Sequence, residues 1–214
     1  MEEEIDEKPI IKPTRNGPYL VENLKTFKNS RDENIEAKKV MTLCRCGGSN
    51  NKPFCDGTHL KNLFSDNKED DRVPDKMDDY DGKEIILHDN RGVCSHRGNC
   101  TDNLPSVFRM KEEPWIDPDA FDTDETARVI RTCPSGALSY TKDGVLIKDL
   151  DRKPAIKVSK NGPYDVTGGI QLKDPDELTP ESNEHYTLCR CGHSKNKPFC
   201  SGQHWYVEFK DDKN

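Results

Sequence analysis

The chain has 214 residues and a formal net charge of -7, which leaves room for one or two ordinary domains but not for a large multidomain enzyme. Charged residues make up 34%, and apolar residues, counted with Gly and without Tyr, about 35%, a poor basis for a core held by apolar burial alone when globular domains average about 45–50% on that count. A pI of about 5.4 with no long basic stripe argues against nucleic acid, and no apolar run reaches the roughly 18–20 residues of a membrane span.

Nine cysteines stand out against this polar background, in three groups of three: Cys44, Cys46, Cys55; Cys94, Cys100, Cys133; and Cys189, Cys191, Cys200. An odd number is a poor disulfide framework. The first residues are acidic, unlike a secretory leader or an Arg-rich transit peptide. The expectation is a cytoplasmic protein, with no membrane partner, whose cysteines ligate metal.

From the N-terminus, short strands are predicted over 9–13 and 19–21, flanking the Asn16-Gly17 turn signal, with a third over 40–43 that enters the first cysteines. The same pattern returns at a constant offset of 145: strands over 156–158 and 164–166 around Asn161-Gly162, then 185–188. Lys8-Pro9 aligns with Lys153-Pro154, and Asn16-Gly17-Pro18-Tyr19 with Asn161-Gly162-Pro163-Tyr164. Each copy is too small to bury much alone, so the two are expected to pack as an intramolecular pseudo-dimer rather than as two independent beads.

The first motif places Cys44, Cys46, Cys55 and His59 within sixteen residues. Cys55 and His59 are one helical turn apart, so both can face one ion or cluster. Asp56 is expected to cap that turn through the His59 amide, while Gly47-Gly48 lets the backbone approach bridging sulfides. Ligand chemistry by itself leaves structural zinc open. The run Cys44-Arg-Cys46-Gly-Gly-Ser49-Asn-Asn-Lys-Pro53-Phe-Cys55-Asp56-Gly57-Thr58-His59 resembles the CDGSH iron–sulfur domain family at every named position of its signature. That resemblance implies a [2Fe-2S] cluster on Cys44, Cys46, Cys55 and His59. The second copy keeps Cys189, Cys191, Ser194, Pro198, Cys200 and His204 but reads Cys200-Ser201-Gly202-Gln203-His204, with Ser201 in place of the acid. Ser201 is expected to cap that turn through its hydroxyl, less firmly than an acid, and a second cluster of different potential or lability is expected there. His193, beside Cys191, is read as a surface residue.

Between the copies the chain changes character. Residues 65–82 carry eight acids against three bases, and 111–126 seven against one. Such runs are ordinarily solvated faces; the other reading is a docking surface for a basic redox partner. Cys94-Ser-His96-Arg97-Gly98-Asn-Cys100 and Cys133-Pro134 follow ferredoxin spacing with Arg97 at the middle cysteine position. Three cysteines favour [3Fe-4S]; His96, one residue off register, is either a ligand to a fourth iron or a neighbour of the site. With Leu104-Pro105, Phe108 and Pro114-Trp115-Ile116, the segment resembles the divergent single-cluster ferredoxin family, which implies [4Fe-4S]. A helix over 123–131 and a hairpin turning at Asp143-Gly144 are predicted, with Trp115 and Phe108 in the core.

The expected fold class is α+β: a CDGSH-type module over 1–64, an acidic linker over 65–82, a ferredoxin-like single-cluster domain over 83–149 and a second CDGSH-type module over 150–214. The expected function is electron transfer by a monomer with an internal pseudo-two-fold, carrying two [2Fe-2S] clusters and one [3Fe-4S] or [4Fe-4S] cluster. Cluster storage or transfer, and a structural zinc module, stand as rivals. No nucleophile–base pair or phosphate loop suggests an enzyme.

Overall fold

The computed structural model describes residues 7–214; the acidic residues 1–6, on which the reading of the N-terminus partly rested, lie outside it. The first copy supplies strands β1 (Ile10–Pro13), β2 (Tyr19–Glu22), β3 (Phe27–Lys28) and β4 (Val40–Leu43). The intervening segment supplies β5 (Met77–Asp81), β6 (Ile85–Asn90), helices α1 (Asn99–Asn103) and α2 (Thr123–Ile130), β7 (Leu138–Lys142) and β8 (Val145–Ile147). The second copy supplies β9 (Ala155–Val158), β10 (Tyr164–Thr167), β11 (Gln171–Leu172), β12 (Tyr186–Leu188) and helix α3 (Gln203–Tyr206). Small sheets dominate, with few and short helices: an α+β chain.

Three four-stranded sheets form, and two of them mix the copies. β1, β2 and β4 pair antiparallel, as do β9, β10 and β12. The fourth strand of each sheet comes from the other copy: β11 runs parallel to β1 with Ile10 opposite Gln171, and β3 parallel to β9 with Phe27 opposite Ile156. Neither two-residue strand has enough length for a period-two signal, so the sequence did not announce them. Along β1, β2, β9 and β10 alternate residues are buried, placing Ile11, Tyr19, Val21, Ile156, Val158, Tyr164 and Val166 inside. Asn16 and Asn161 take φ of 48° and 49°, the left-handed conformation that asparagine tolerates in tight turns.

The third sheet, β5-β6-β7-β8, belongs to the intervening segment and is wholly antiparallel. Its first strand lies within the stretch expected to be a linker. Asp122 caps α2 by accepting the Glu125 amide, and Thr126, Ala127, Val129 and Ile130 face inward. The β7–β8 hairpin turns at Asp143-Gly144, as the sequence predicts. β12 starts at Tyr186, one residue later than expected, because Ser182 Oγ accepts the amides of Glu184 and His185 and holds His185 in the preceding turn. Among the described residues no helix is long and apolar enough to cross a membrane.

Candidate metal centres

Two reciprocal contacts bring the outer motifs together. Tyr19, fully buried, donates its hydroxyl to the carbonyls of Cys189 and Pro198 at 2.9 and 3.0 Å. Tyr164 makes the same two bonds to Cys44 and Pro53, at the same distances. The two rings meet edge-on, 6.1 Å between centroids. Backbone pairing of Cys46 with Cys191 continues the seam. A Cβ at Gly47 would lie 2.3 Å from the Cys191 carbonyl oxygen, and one at Gly192 would lie 2.5 Å from that of Cys46. Only glycine allows that approach, at φ of 75° and 85°. The motif tyrosines were visible as a repeat, but their partners, 111 to 179 residues away, were not.

Within each motif the ligand atoms are gathered in pairs. Cys44 and Cys46 sulfurs are 4.0 Å apart, and the Cys55 sulfur lies 3.5 Å from His59 Nδ1. In the second copy Cys189 and Cys191 are 3.8 Å apart and Cys200 lies 3.5 Å from His204 Nδ1. Two thiolates at about 2.3 Å from one tetrahedral metal stand about 3.8 Å apart, and a thiolate and a ring nitrogen about 3.5 Å. Each pair therefore matches two corners of one metal. Among the described residues, however, no three His, Cys, Asp or Glu side chains gather as they must around a single ion. All nine cysteines are free thiols. In each cysteine pair a proton lies between close sulfurs, and the bond it makes holds Cys46 and Cys189 below the usual thiol range. Backbone amides also point at sulfur, Gly57 to Cys55 and His193 to Cys191, both at 3.4 Å. Burial, then Arg97 and His96, holds His204 down to about 4, in the neutral form that ligates metal.

The expected cap is different in detail. Gly57 and Gly202 occupy the N-cap positions at φ of 85° and 77°, with no side-chain cap. Asp56 instead accepts the Thr58 amide and hydroxyl at 3.1 and 2.6 Å and the Asn50 amide at 2.9 Å. Its carboxyl is held well below the usual range by those donors, Thr58 hydroxyl first. Ser201 takes over one of these duties, accepting the Lys195 amide at 3.0 Å. The likeness of the copies also runs past the motif. Buried Arg45 pairs with Asp66 at 3.3 Å, and fully buried Arg190 with Asp211; their guanidiniums lie 5.1 and 5.6 Å from the Tyr19 and Tyr164 ring centres. The same offset of 145 relates Asp66 to Asp211, a signal present in the sequence but diluted by dissimilar neighbours.

In the intervening segment Cys94, Cys100 and Cys133 line one cavity of about 570 Å³, together with His96, Arg91 and Trp115. Burial pushes Cys94 up to about 11 and Cys100 up to about 12, each raised further by Cys133. The thiols thus sense one another without converging as a single-ion site. His96 lies on this wall at φ 54°, its ring against Gly202 of the second copy. Phe108 is buried, and Trp115, half-buried, packs on it at 5.8 Å while the Arg91 guanidinium lies 3.7 Å from the Trp115 ring centre.

Comparison with known proteins gives two families. Residues 16–60 and 161–205 match the family described as iron-binding zinc finger CDGSH type, and residues 80–143 match the divergent 4Fe-4S mono-cluster family. The uncharacterized protein YjdI of Escherichia coli, in strains K12 and O157:H7, is 44% identical over 61 residues, which are 28% of this chain and 80% of that protein. No solved structure matches.

Proposed function

The chain belongs to the CDGSH iron-binding family, with a divergent 4Fe-4S mono-cluster domain set between its two CDGSH motifs, and on that premise we propose that it is an electron-transfer protein with three clusters. Cys44, Cys46, Cys55 and His59 would hold one [2Fe-2S] cluster, Cys189, Cys191, Cys200 and His204 a second, and Cys94, Cys100 and Cys133 a cubane-type cluster, [3Fe-4S] or, with a fourth ligand such as His96, [4Fe-4S]. When bound, such clusters supply one-electron redox capacity at potentials set by ligands, hydrogen bonds and exposure. The carrying observation is the pairing of ligand atoms. Two corners of one metal at Cys44 and Cys46, and two of another at Cys55 and His59, suit a two-iron unit and not one zinc ion.

The residues of the chain have separable tasks in this reading. The thiolates and imidazoles hold iron, and the amides of Gly57 and His193 lower the electron density on Cys55 and Cys191. Tyr19 and Tyr164 fix the carbonyls beside each other's cysteines, so the copies act as an intramolecular pseudo-dimer. The inserted sheet with its helices serves as a ferredoxin-like unit that presents the central cluster, and its acids face a basic redox partner. We place the protein in the cytoplasm, as a monomer without catalytic activity of its own.

Cluster transfer is the second reading, favoured by the half-buried Cys55 and His59. Iron and acid-labile sulfide per chain on anaerobically purified protein, with EPR before and after reduction, test the proposal. About 7–8 irons with matching sulfide and a separate cubane signal are expected. About three zinc ions and no sulfide would refute it.

A further inference from the structure

The two CDGSH motifs have equivalent ligands but unequal cover. Cys55 and His59 are half-buried, and the next residue, Leu60, is 74% exposed. Their counterparts Cys200 and His204 are each only 3% exposed, and His204 Nε2 is enclosed without a hydrogen-bond partner. The difference is made by His96 of the inserted domain together with Trp205 of the second copy, which is itself 59% exposed. The His96 ring rests on the turn that carries His204, so closely that a Cβ at Gly202 would lie 2.7 Å from its Cδ2. Trp205, which replaces Leu60 in the repeat, packs its ring against His204 at 5.2 Å and donates its indole N–H to the His96 carbonyl at 3.0 Å. Arg97 faces the half-buried Asp165 of β10 at 3.9 Å.

This cover is anchored from several sides. Asn196 donates to Asp75 and to the Gly92 carbonyl, both at 2.9 Å. Asn90 donates to Glu181, and Ser182 donates to Asp149 at 2.8 Å. For an acceptor to take a cluster, its thiols must reach iron while the histidine swings away. At His59 that path opens to solvent. At His204 it is closed by His96 and Trp205.

Resting on the iron–sulfur reading, we propose that the inserted domain is a lid on the second CDGSH site, so that the first site exchanges its cluster with an acceptor protein and the second retains its own. The exchange is a ligand substitution with no change of oxidation state. Four thiols of an apo-ferredoxin give up four protons as they bond to iron. Cys44, Cys46 and Cys55 take back three as their bonds to iron break, and the fourth goes to freed His59 or to solvent.

The test is transfer from the fully loaded chain to excess apo-ferredoxin, followed by visible circular dichroism, with iron and sulfide counted first in every variant. In the wild type one [2Fe-2S] equivalent per chain is expected to move fast and the second at least tenfold more slowly. His59→Cys, which replaces the releasable imidazole with a thiolate, removes the fast phase and leaves the slow one. Trp205→Ala, outside the ligand set, leaves the fast phase and accelerates the slow one about tenfold; Arg97→Ala, the second variant, acts in the same direction. Both equivalents leaving at one rate, a fast phase that survives His59→Cys, or a slow phase indifferent to both lid variants would each overturn the lid. Zinc without sulfide in the wild type would instead remove the parent reading, and the lid with it, before any exchange is measured.

Discussion

Replacing Tyr19 by phenylalanine removes a single oxygen atom, yet the structure gives that atom work in the opposite half of the molecule. The hydroxyl donates to the Cys189 and Pro198 carbonyls. Pro198 keeps a partner, since its carbonyl also accepts the Cys189 amide at 2.9 Å, so the cost falls mainly on the Cys189 carbonyl. Losing a buried hydrogen bond is worth about 0.5–1.5 kcal/mol net, and a buried acceptor left unpaired costs about 1–3 kcal/mol, so about 2 kcal/mol is expected. The edge-on packing against Tyr164 survives, because phenylalanine keeps the ring. Because cluster loss makes unfolding irreversible, the measurement is a rate in urea by far-UV circular dichroism, expected to rise up to about 30-fold. The sharper readout is which cluster leaves. Tyr19→Phe, in the first copy, should accelerate loss of the cluster in the second, and Tyr164→Phe the reverse. A change below about 0.5 kcal/mol, or loss confined to the mutated copy, would refute the reciprocal seam and favour two independent beads.

Other perturbations separate buried from exposed features. Gly47→Ala would drive a methyl into the Cys191 backbone and should prevent stable loading of both outer sites, while Gly57→Ala, with nothing within 4 Å, should cost only the left-handed strain of about 1–2 kcal/mol; iron content and melting temperature distinguish them. Asp211→Ala leaves the fully buried Arg190 without its carboxylate, a loss of about 3–5 kcal/mol that should speed unfolding in urea strongly, whereas Asp176→Ala, which breaks the exposed pair with Arg15, should leave that rate unchanged. Burial pushes Asp89 up to about 6, against the pull of Arg91. A raised acid stabilises fully below its unfolded value near 4 and loses that contribution as pH rises through about 6. Asp89→Asn should therefore gain on the wild type by about 2–3 kcal/mol between pH 4 and 7 and stay level above; a constant difference would contradict that burial. Chelating the metals should abolish cooperative unfolding altogether, since hydrophobic residues are only 31% of so polar a chain.

Much of this protein was legible in the sequence because it is written locally. The ligand spacings, the Asn-Gly turns and the four-residue strands depend on neighbours within a few positions, and the repeat at offset 145 reports them twice. The same locality explains α2 and the β7–β8 hairpin, each set by its own cap or turn. Capping was misjudged where a glycine, not Asp56, takes the left-handed position, since a side chain that accepts at 2.9 Å from Asn50 reveals its role only once the loop has closed. What tertiary structure alone decided is who covers whom. β3 and β11 are too short to carry a pattern and exist because the opposite sheet offers an unpaired edge. The hydroxyls of Tyr19 and Tyr164 find carbonyls in the other copy, and His96 settles on Gly202 across a domain boundary. Spacing singled out the residues proposed to hold iron; the unequal burial of His59 and His204 came from packing between segments over a hundred residues apart, where no local pattern records the contact.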